Sequence, residues 1–268
     1  MDAASPKRRF LWVTLGQRLG WFGTLGKIMT TIANKLQSVR AQITHACQQC
    51  GRQPDVVALL AVSKTFPAEA VREAALAGQR AFGENYIQEA VEKIAAVRAM
   101  PDVPPLQWHC IGPIQSNKTK LVAQHFDWVH TVDREKVAQR LNEQRPDAMA
   151  PLQVCIQVNV DGGETKSGCS PQEALGLAKA IASLPRLQLR GVMSIPDMQP
   201  TPEAMLAIHR QVVQVFESIR ASGFDGLQQW DTVSLGMTAD MHTAIAAGST
   251  MVRVGSGIFG ARDYSAKA

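Results

Sequence analysis

The sequence predicts one closed (β/α)8 barrel preceded by a helix, and three observations carry that prediction. From residue 56 onward, apolar runs alternate eight times with helical patterns, and such alternation builds a parallel sheet. The eight units fill roughly 210 residues, about what one such barrel needs. No linker of biased composition divides them. An open doubly wound sheet is the competing arrangement.

The elements follow in order. Thr30 and Thr31 supply capping hydroxyls, and apolar residues at Ile32, Leu36, Val39 and Ile43 predict a leading helix at about 31–50. Val56–Lys64 is an apolar run with the character of a strand buried on both faces. A helix follows from Pro67 to Leu76, then a short strand at Arg80–Asn85 and a helix from Tyr86 to Arg98. The third and fourth strands are Leu106–Gly112 and Trp128–Asp133, with a short helix at Ser116–Ala123 between them. Lys136–Gln144 is helical. The second half repeats the rhythm, with strands at Leu152–Val160, Leu187–Ile195, Thr232–Leu235 and Met251–Val254. Its helices are Pro171–Leu184, opened by a proline in the first turn, Pro202–Arg220 and Met241–Ala247.

Composition narrows the function classes. The chain of 268 residues is 46% apolar and 19% charged, an ordinary globular balance. Five cysteines at irregular spacing argue against a disulfide framework and for a reducing, cytoplasmic compartment. The pair Cys47 and Cys50 has no second pair at zinc spacing, and the histidines are scattered, so no metal site is expected. The net charge of +5 is concentrated in the first 28 residues, where five cations face one acid. The remainder is nearly neutral, and nucleic-acid binding is not expected. No stretch approaches the roughly 20 apolar residues of a membrane span. Residues 1–28 read as an extension, disordered or the product of an upstream start codon, with a weak membrane-surface helix as the competing reading. The barrel is expected over 29–268.

Active sites of such barrels lie at the carboxyl ends of the strands. Those ends carry Lys64, Asn85, His109 with Gly112, Asp133, Asn159, Ser194, Ser234 with Gly236, and Arg253 with Gly255. Lys64 closes a buried strand, where a poorly solvated ammonium should titrate low and supply a nucleophilic amine; the bland alternative is a charge marking where the strand meets water. The segments Ser234–Thr238 and Gly255–Gly257 combine small residues with hydroxyls, which suits an anion cradled by backbone N–H groups. Asp240 nearby is expected to point outward, away from such an anion. Arg253 faces either the barrel mouth or a structural ion partner. His109 reads as a satisfied core histidine or a site residue, Lys166–Gly168 as a ligand contact or a plain turn, and Glu84 with Glu89 as helix-entry charge. Gly255–Gly260 fits GxGxxG, but so near the C-terminus no βαβ unit can follow it.

Five segments together carry a resemblance: Leu59–Thr65 (LLAVSKT), Phe82–Tyr86 (FGENY), Trp108–Lys118 (WHCIGPIQSNK), Ser234–Met237 (SLGM) and Val252–Ser256 (VRVGS). In order and spacing the chain resembles the pyridoxal phosphate homeostasis protein family, a single-barrel group related to the alanine racemase N-terminal domain. The resemblance runs from about Met29 to Tyr264. It implies a barrel of the alanine racemase N-terminal type holding pyridoxal 5'-phosphate (PLP) as a Schiff base on Lys64. Ser234, Gly236, Met237, Gly255 and Ser256 would hold the phosphate. Arg253 would face the pyridine nitrogen, keeping it unprotonated, and Asn85 would lie near the ring. Thr238 and Ala239 stand where the family commonly has Ser then Asp.

The resemblance further implies a role in vitamin B6 balance without robust turnover, with PLP-dependent apo-enzymes as candidate recipients and a monomeric state. The alternative is a PLP-dependent amino-acid racemase. Racemisation needs an acid/base on each ring face; Lys64 can serve one. Of the two tyrosines, Tyr86 begins a helix and Tyr264 lies in the tail, so no partner for the opposite face is evident.

Overall fold

The structure is a computed structural model that describes residues 31–163 and 167–261. The readings made for residues 1–28, Lys166 and Tyr264 lie outside the described residues. Eight parallel strands close into a barrel in sequence order: β1 (Ala58–Val62), β2 (Ala81–Glu84), β3 (Gln107–Cys110), β4 (Trp128–Val132), β5 (Leu152–Gln157), β6 (Leu187–Met193), β7 (Thr232–Ser234) and β8 (Met251–Val254). Closure is made by β1 on β8, with Leu60 opposite Arg253 and Ala61 opposite Val254.

Helix α1 (Ile32–Gln49) precedes the barrel; the Thr31 hydroxyl accepts the Asn34 N–H at 3.2 Å, and Leu36, Val39, Ile43 and Cys47 are buried. Helices α2 (Ala68–Leu76), α3 (Ile87–Arg98), α4 (Thr119–His125), α5 (Glu135–Gln144), α6 (Pro171–Ala182), α7 (Pro202–Ala221) and α8 (Met241–Ala247) follow strands β1 to β7. Ser170 and Glu173 form a capping box at the start of α6. The five cysteines are free thiols.

Element ends differ from the sequence reading for local reasons. Pro54–Val56 forms a 3₁₀ turn rather than the start of a strand, because Pro54 has no N–H to give a ladder and fits a first helical turn. Helix α4 starts at Thr119, not Ser116, whose carbonyl accepts the hydroxyl of Thr119 and the guanidinium of Arg140. A ninth helix, α9 (Ser256–Phe259), lies in the last glycine loop. At four residues it is too short to carry a period.

Strand alternation decides which residues face the barrel axis. The outward set forms the large core beneath the helices: Ala61, Trp108, Val129, Val154, Val192 and Val252, among others. Inward residues form two smaller apolar groups, Leu60 with Val62, Ile111 and Met251, and Trp128 with Cys155 and Met193. His109, His130, Ser234 and Arg253, buried as well, share that inward alternation.

Candidate functional site

Lys64 continues the inward alternation of Leu60 and Val62 two residues beyond β1. Thr65 follows with φ +68°, the one positive-φ non-glycine among the described residues, and turns the chain across the mouth. Lys64 is half-buried and lines a cavity of about 560 Å³ together with Asn85, Met237, Arg253, Gly255 and Ser256. These are six of the eight residues singled out from the sequence. The other two stand behind the wall. Ser234 is fully buried, and Gly236 offers its carbonyl to the Arg253 N–H at 2.9 Å.

The loops after β7 and β8 border the cavity with glycines and hydroxyls. Gly236 has φ +87°, and a Cβ there would lie 2.5 Å from the Ala244 Cβ, so the loop closes only around glycine. The loops after β7 and β8 meet where Ser256 Oγ approaches Thr238 Oγ1 at 3.4 Å. Loops in this position, with a short extra helix such as α9, form the phosphate cradle of many barrels. Thr238 and Ala239 both line the cavity.

Asp240 departs from expectation: it does not point outward but is buried at the start of α8. Its carboxylate accepts the Met237 N–H at 2.7 Å and faces His209 Nε2 at 3.1 Å. Desolvation opposes its ionisation, but the bonds from His209 and Met237 outweigh that and hold the carboxyl below its ordinary range. Its charge is spent on shaping the loop rather than on repelling a ligand.

Arg253 also lines the cavity. Its Nη1 donates to the Ser234 carbonyl at 2.6 Å and to Ser234 Oγ at 2.8 Å; its Nη2 donates to the Ser194 carbonyl at 2.9 Å. These partners are neutral oxygens, so the structural ion pair considered as the alternative is not what holds this side chain. Desolvation brings Arg253 down to about 10, with Asp240 acting the other way.

From Ser234 the chain of contacts runs inward, through His130 Nδ1 at 3.0 Å and from His130 Nε2 to His109 Nδ1 at 2.9 Å. Burial lowers His109 to about 3 and His130 well below the ordinary histidine value, the latter also through His109 and Arg253. Both rings are therefore neutral at neutral pH. His109 stacks on Trp128 with ring centroids 5.2 Å apart, and its Nε2 is buried without a hydrogen-bond partner. Of the two sequence readings of His109, the satisfied core histidine thus holds for one ring nitrogen only.

Other strand ends are spent locally. Asp133 pairs with Arg134, and the Asn159 side chain closes a turn with Gly162 and Gly163. Glu89 is a helix-entry charge, in the first turn of α3, but Glu84 is not. Glu84 faces outward from β2, 1% exposed, and pairs with Lys93 at 2.7 Å; burial raises its pKa despite that partner. Sequence reading missed Phe66, which stacks on Phe259 at 5.1 Å beside the cavity, and, although it placed Ser194 at a strand end, it missed that the Ser194 carbonyl rather than its hydroxyl meets Arg253. An aromatic two residues after Lys64 was the available signal for the first; a backbone role leaves none for the second. A second cavity, about 350 Å³, opens at the opposite barrel end beside Arg40 and Arg80, but both guanidiniums are engaged by backbone carbonyls of the adjoining turn.

The cavity's features fit pyridoxal phosphate: an amine at the wall, a glycine-built anion cradle, a cation on neutral oxygens, and Asn85 Oδ1 buried without a partner. Barrel and site together define an alanine racemase N-terminal domain, and residues 35–263 match the model of that family. Within it, the chain belongs to the pyridoxal phosphate homeostasis protein family. It is 53% identical to the pyridoxal phosphate homeostasis protein of Vibrio cholerae over 240 residues, 90% of this chain and all of that one. It is 51% identical to the protein of that name from Escherichia coli K12 over 239 residues, again the whole of the relative and 89% of this chain. Among solved structures, PipY of Synechococcus elongatus with PLP bound is 35% identical, with TM-score 0.74 over 86% of this chain and all of that one. An alanine racemase of Clostridium difficile shares the fold alone, at 14% identity and TM-score 0.65 over 88% of this chain and 58% of that one.

Proposed function

We propose that this protein holds pyridoxal 5'-phosphate as a Schiff base on Lys64 and serves in vitamin B6 balance rather than in robust turnover. The observation that carries the reading is that Lys64 and Arg253 line one cavity, together with Met237, Thr238, Gly255 and Ser256 of the two glycine loops. The relatives' name and the PLP-bound PipY support it.

When bound, the group supplies an aldehyde for the lysine and a ring able to withdraw electrons. The chain's own residues do the rest. Lys64 offers its amine from a wall formed with Val62, Phe66 and Ile111. Thr238, Ser256 and the glycine loops receive the phosphate. Arg253 donates toward the ring nitrogen and leaves it unprotonated, which weakens the ring as an electron sink. Asn85 fills its free acceptor on the ring side.

The weakened sink disfavours racemisation without excluding it; the reason for favouring a holder is that racemisation needs a second acid/base on the ring face opposite Lys64. Tyr86, the one tyrosine among the described residues, is 53% exposed at the start of α3. We further propose a cytoplasmic location, consistent with five free thiols, PLP-dependent apo-enzymes as recipients, and the barrel unit as residues 29–268.

Two measurements test this. Apo-protein incubated with PLP should gain a visible absorbance band, and a colourless product would sink the cofactor reading. In deuterated water, the loaded protein should leave the α-proton of L-alanine unexchanged over hours. Rapid exchange would install the racemase reading instead.

A further inference from the structure

A buried charge cluster lies directly behind Lys64, on the outer side of the barrel wall. Lys93, on α3, is 7% exposed. Its Nζ donates to the Ser63 carbonyl at 2.8 Å, to Glu84 Oε1 at 2.7 Å and to Glu89 Oε1 at 3.3 Å. The Ser63 hydroxyl donates to the same Glu84 oxygen at 2.7 Å. The Thr65 N–H donates to Glu89 Oε1 at 2.8 Å. The residues immediately before and after Lys64 are thus both tied to one cluster, and Thr65 is held there in the left-handed conformation that side chains rarely adopt.

Stability alone accounts poorly for this arrangement. A buried ion pair is often no better than apolar residues of similar volume, because desolvation offsets the Coulomb attraction. Glu84 Oε2 even remains buried without a partner. The contacts instead share one geometric consequence. The Ser63 carbonyl and the Thr65 N–H belong to the two peptide units that flank Lys64, so both units are held by the cluster while the Lys64 side chain lines the cavity.

We propose that Lys93, bridging Glu84 and Glu89, is a positioning residue that orients Lys64 for bond formation with the aldehyde. The inference rests on the Schiff-base reading above. In that step the Lys64 nitrogen attacks the aldehyde carbon and a C=N bond replaces the C=O bond. The two amine hydrogens leave with the aldehyde oxygen as water, and no oxidant or reductant is needed. Orientation of the attacking amine governs the rate of such a step but not the fit of ring and phosphate.

The test separates those two quantities. Apo-protein is mixed with PLP to follow the rate of covalent bond formation between pH 6 and 9. It is then titrated with pyridoxine 5'-phosphate, which has the same ring and phosphate but an alcohol in place of the aldehyde. The variant E84Q/K93M removes both buried charges together, and E89L releases Thr65 at a partly exposed position without burying a charge. The double variant should form the bond at least ten-fold more slowly across the pH range, and E89L about three-fold more slowly. Both should bind pyridoxine 5'-phosphate within two-fold of the parent. Parent-like rates would overturn the proposal, as would rates and analogue affinity falling in parallel, the mark of a purely structural cluster. If the double variant does not fold, E89L decides by the same criteria. Failure of the unaltered protein to form the bond would instead defeat the underlying Schiff-base reading.

Discussion

Acidification should destabilise the apo-protein through the two neutral histidines on the barrel axis, and His109→Phe should remove the His109 share of that effect. In the unfolded chain each histidine binds a proton as pH falls through about 6.5. In the folded barrel His109 stays neutral down to about 3, and His130 also titrates well below its ordinary value. A depressed folded pKa means stability that is present above the unfolded pKa and lost as pH falls below it. From pH 7 to pH 5 the unfolded chain gains about 0.7 proton per histidine, worth about 2 kcal/mol for His109, with His130 adding to the loss in the same direction. Glu84 works the other way as it protonates, because its folded pKa is raised, but it is present in both proteins and cancels in the difference. Asp240 is held low and loses its contribution only below this window. His109→Phe leaves His130 Nε2 without its partner, a cost of about 1–3 kcal/mol that applies at every pH. The assay is urea unfolding of both proteins at pH 7, 6 and 5, followed by tryptophan fluorescence and circular dichroism. The parent should lose about 2 kcal/mol more than the variant between pH 7 and 5. Equal losses would refute a neutral, buried His109.

Three further outcomes are expected. Gly236→Ala combines left-handed strain of about 1–2 kcal/mol with overpacking of about 1–3 kcal/mol against Ala244; it should weaken PLP binding at least ten-fold in spectral titration and lower Tm. Arg253→Met removes the guanidinium donor from the Ser194 carbonyl and from Ser234, whose carbonyl keeps only the Ser194 N–H at 3.4 Å, costing about 2 kcal/mol in denaturant unfolding, and should let the bound ring nitrogen titrate, seen as a pH-dependent change in the visible band that the parent lacks. Deletion of residues 1–28 should leave both the thermal transition and the PLP-dependent band unchanged; loss of folding would show that the segment is structural.

Much of the site was legible because strand order and alternation are local properties. The runs carrying Lys64 and Arg253 place those residues at a barrel mouth, and the glycine-hydroxyl loops after the last two strands line the same cavity. Partners from distant segments were not legible. Asp240 looked like a repelling charge because nothing nearby in the sequence reveals His209 on α7, which it faces across the helix layer. Glu84 looked like helix-entry charge because its outward direction follows from the register of β2, and its cation lies nine residues on, inside α3. The short helix α9 could not show a period. The Ser194 carbonyl has no sequence signature, since every residue has one.

The central claim is that Lys64 holds the cofactor covalently. Its most direct test is to load the protein with PLP, reduce it with borohydride, digest it and map the modified residue by mass spectrometry. The account predicts one pyridoxyl-phosphate adduct, on Lys64, absent from Lys64→Ala. An adduct on another lysine, or retention of the reduced band in Lys64→Ala, would contradict it.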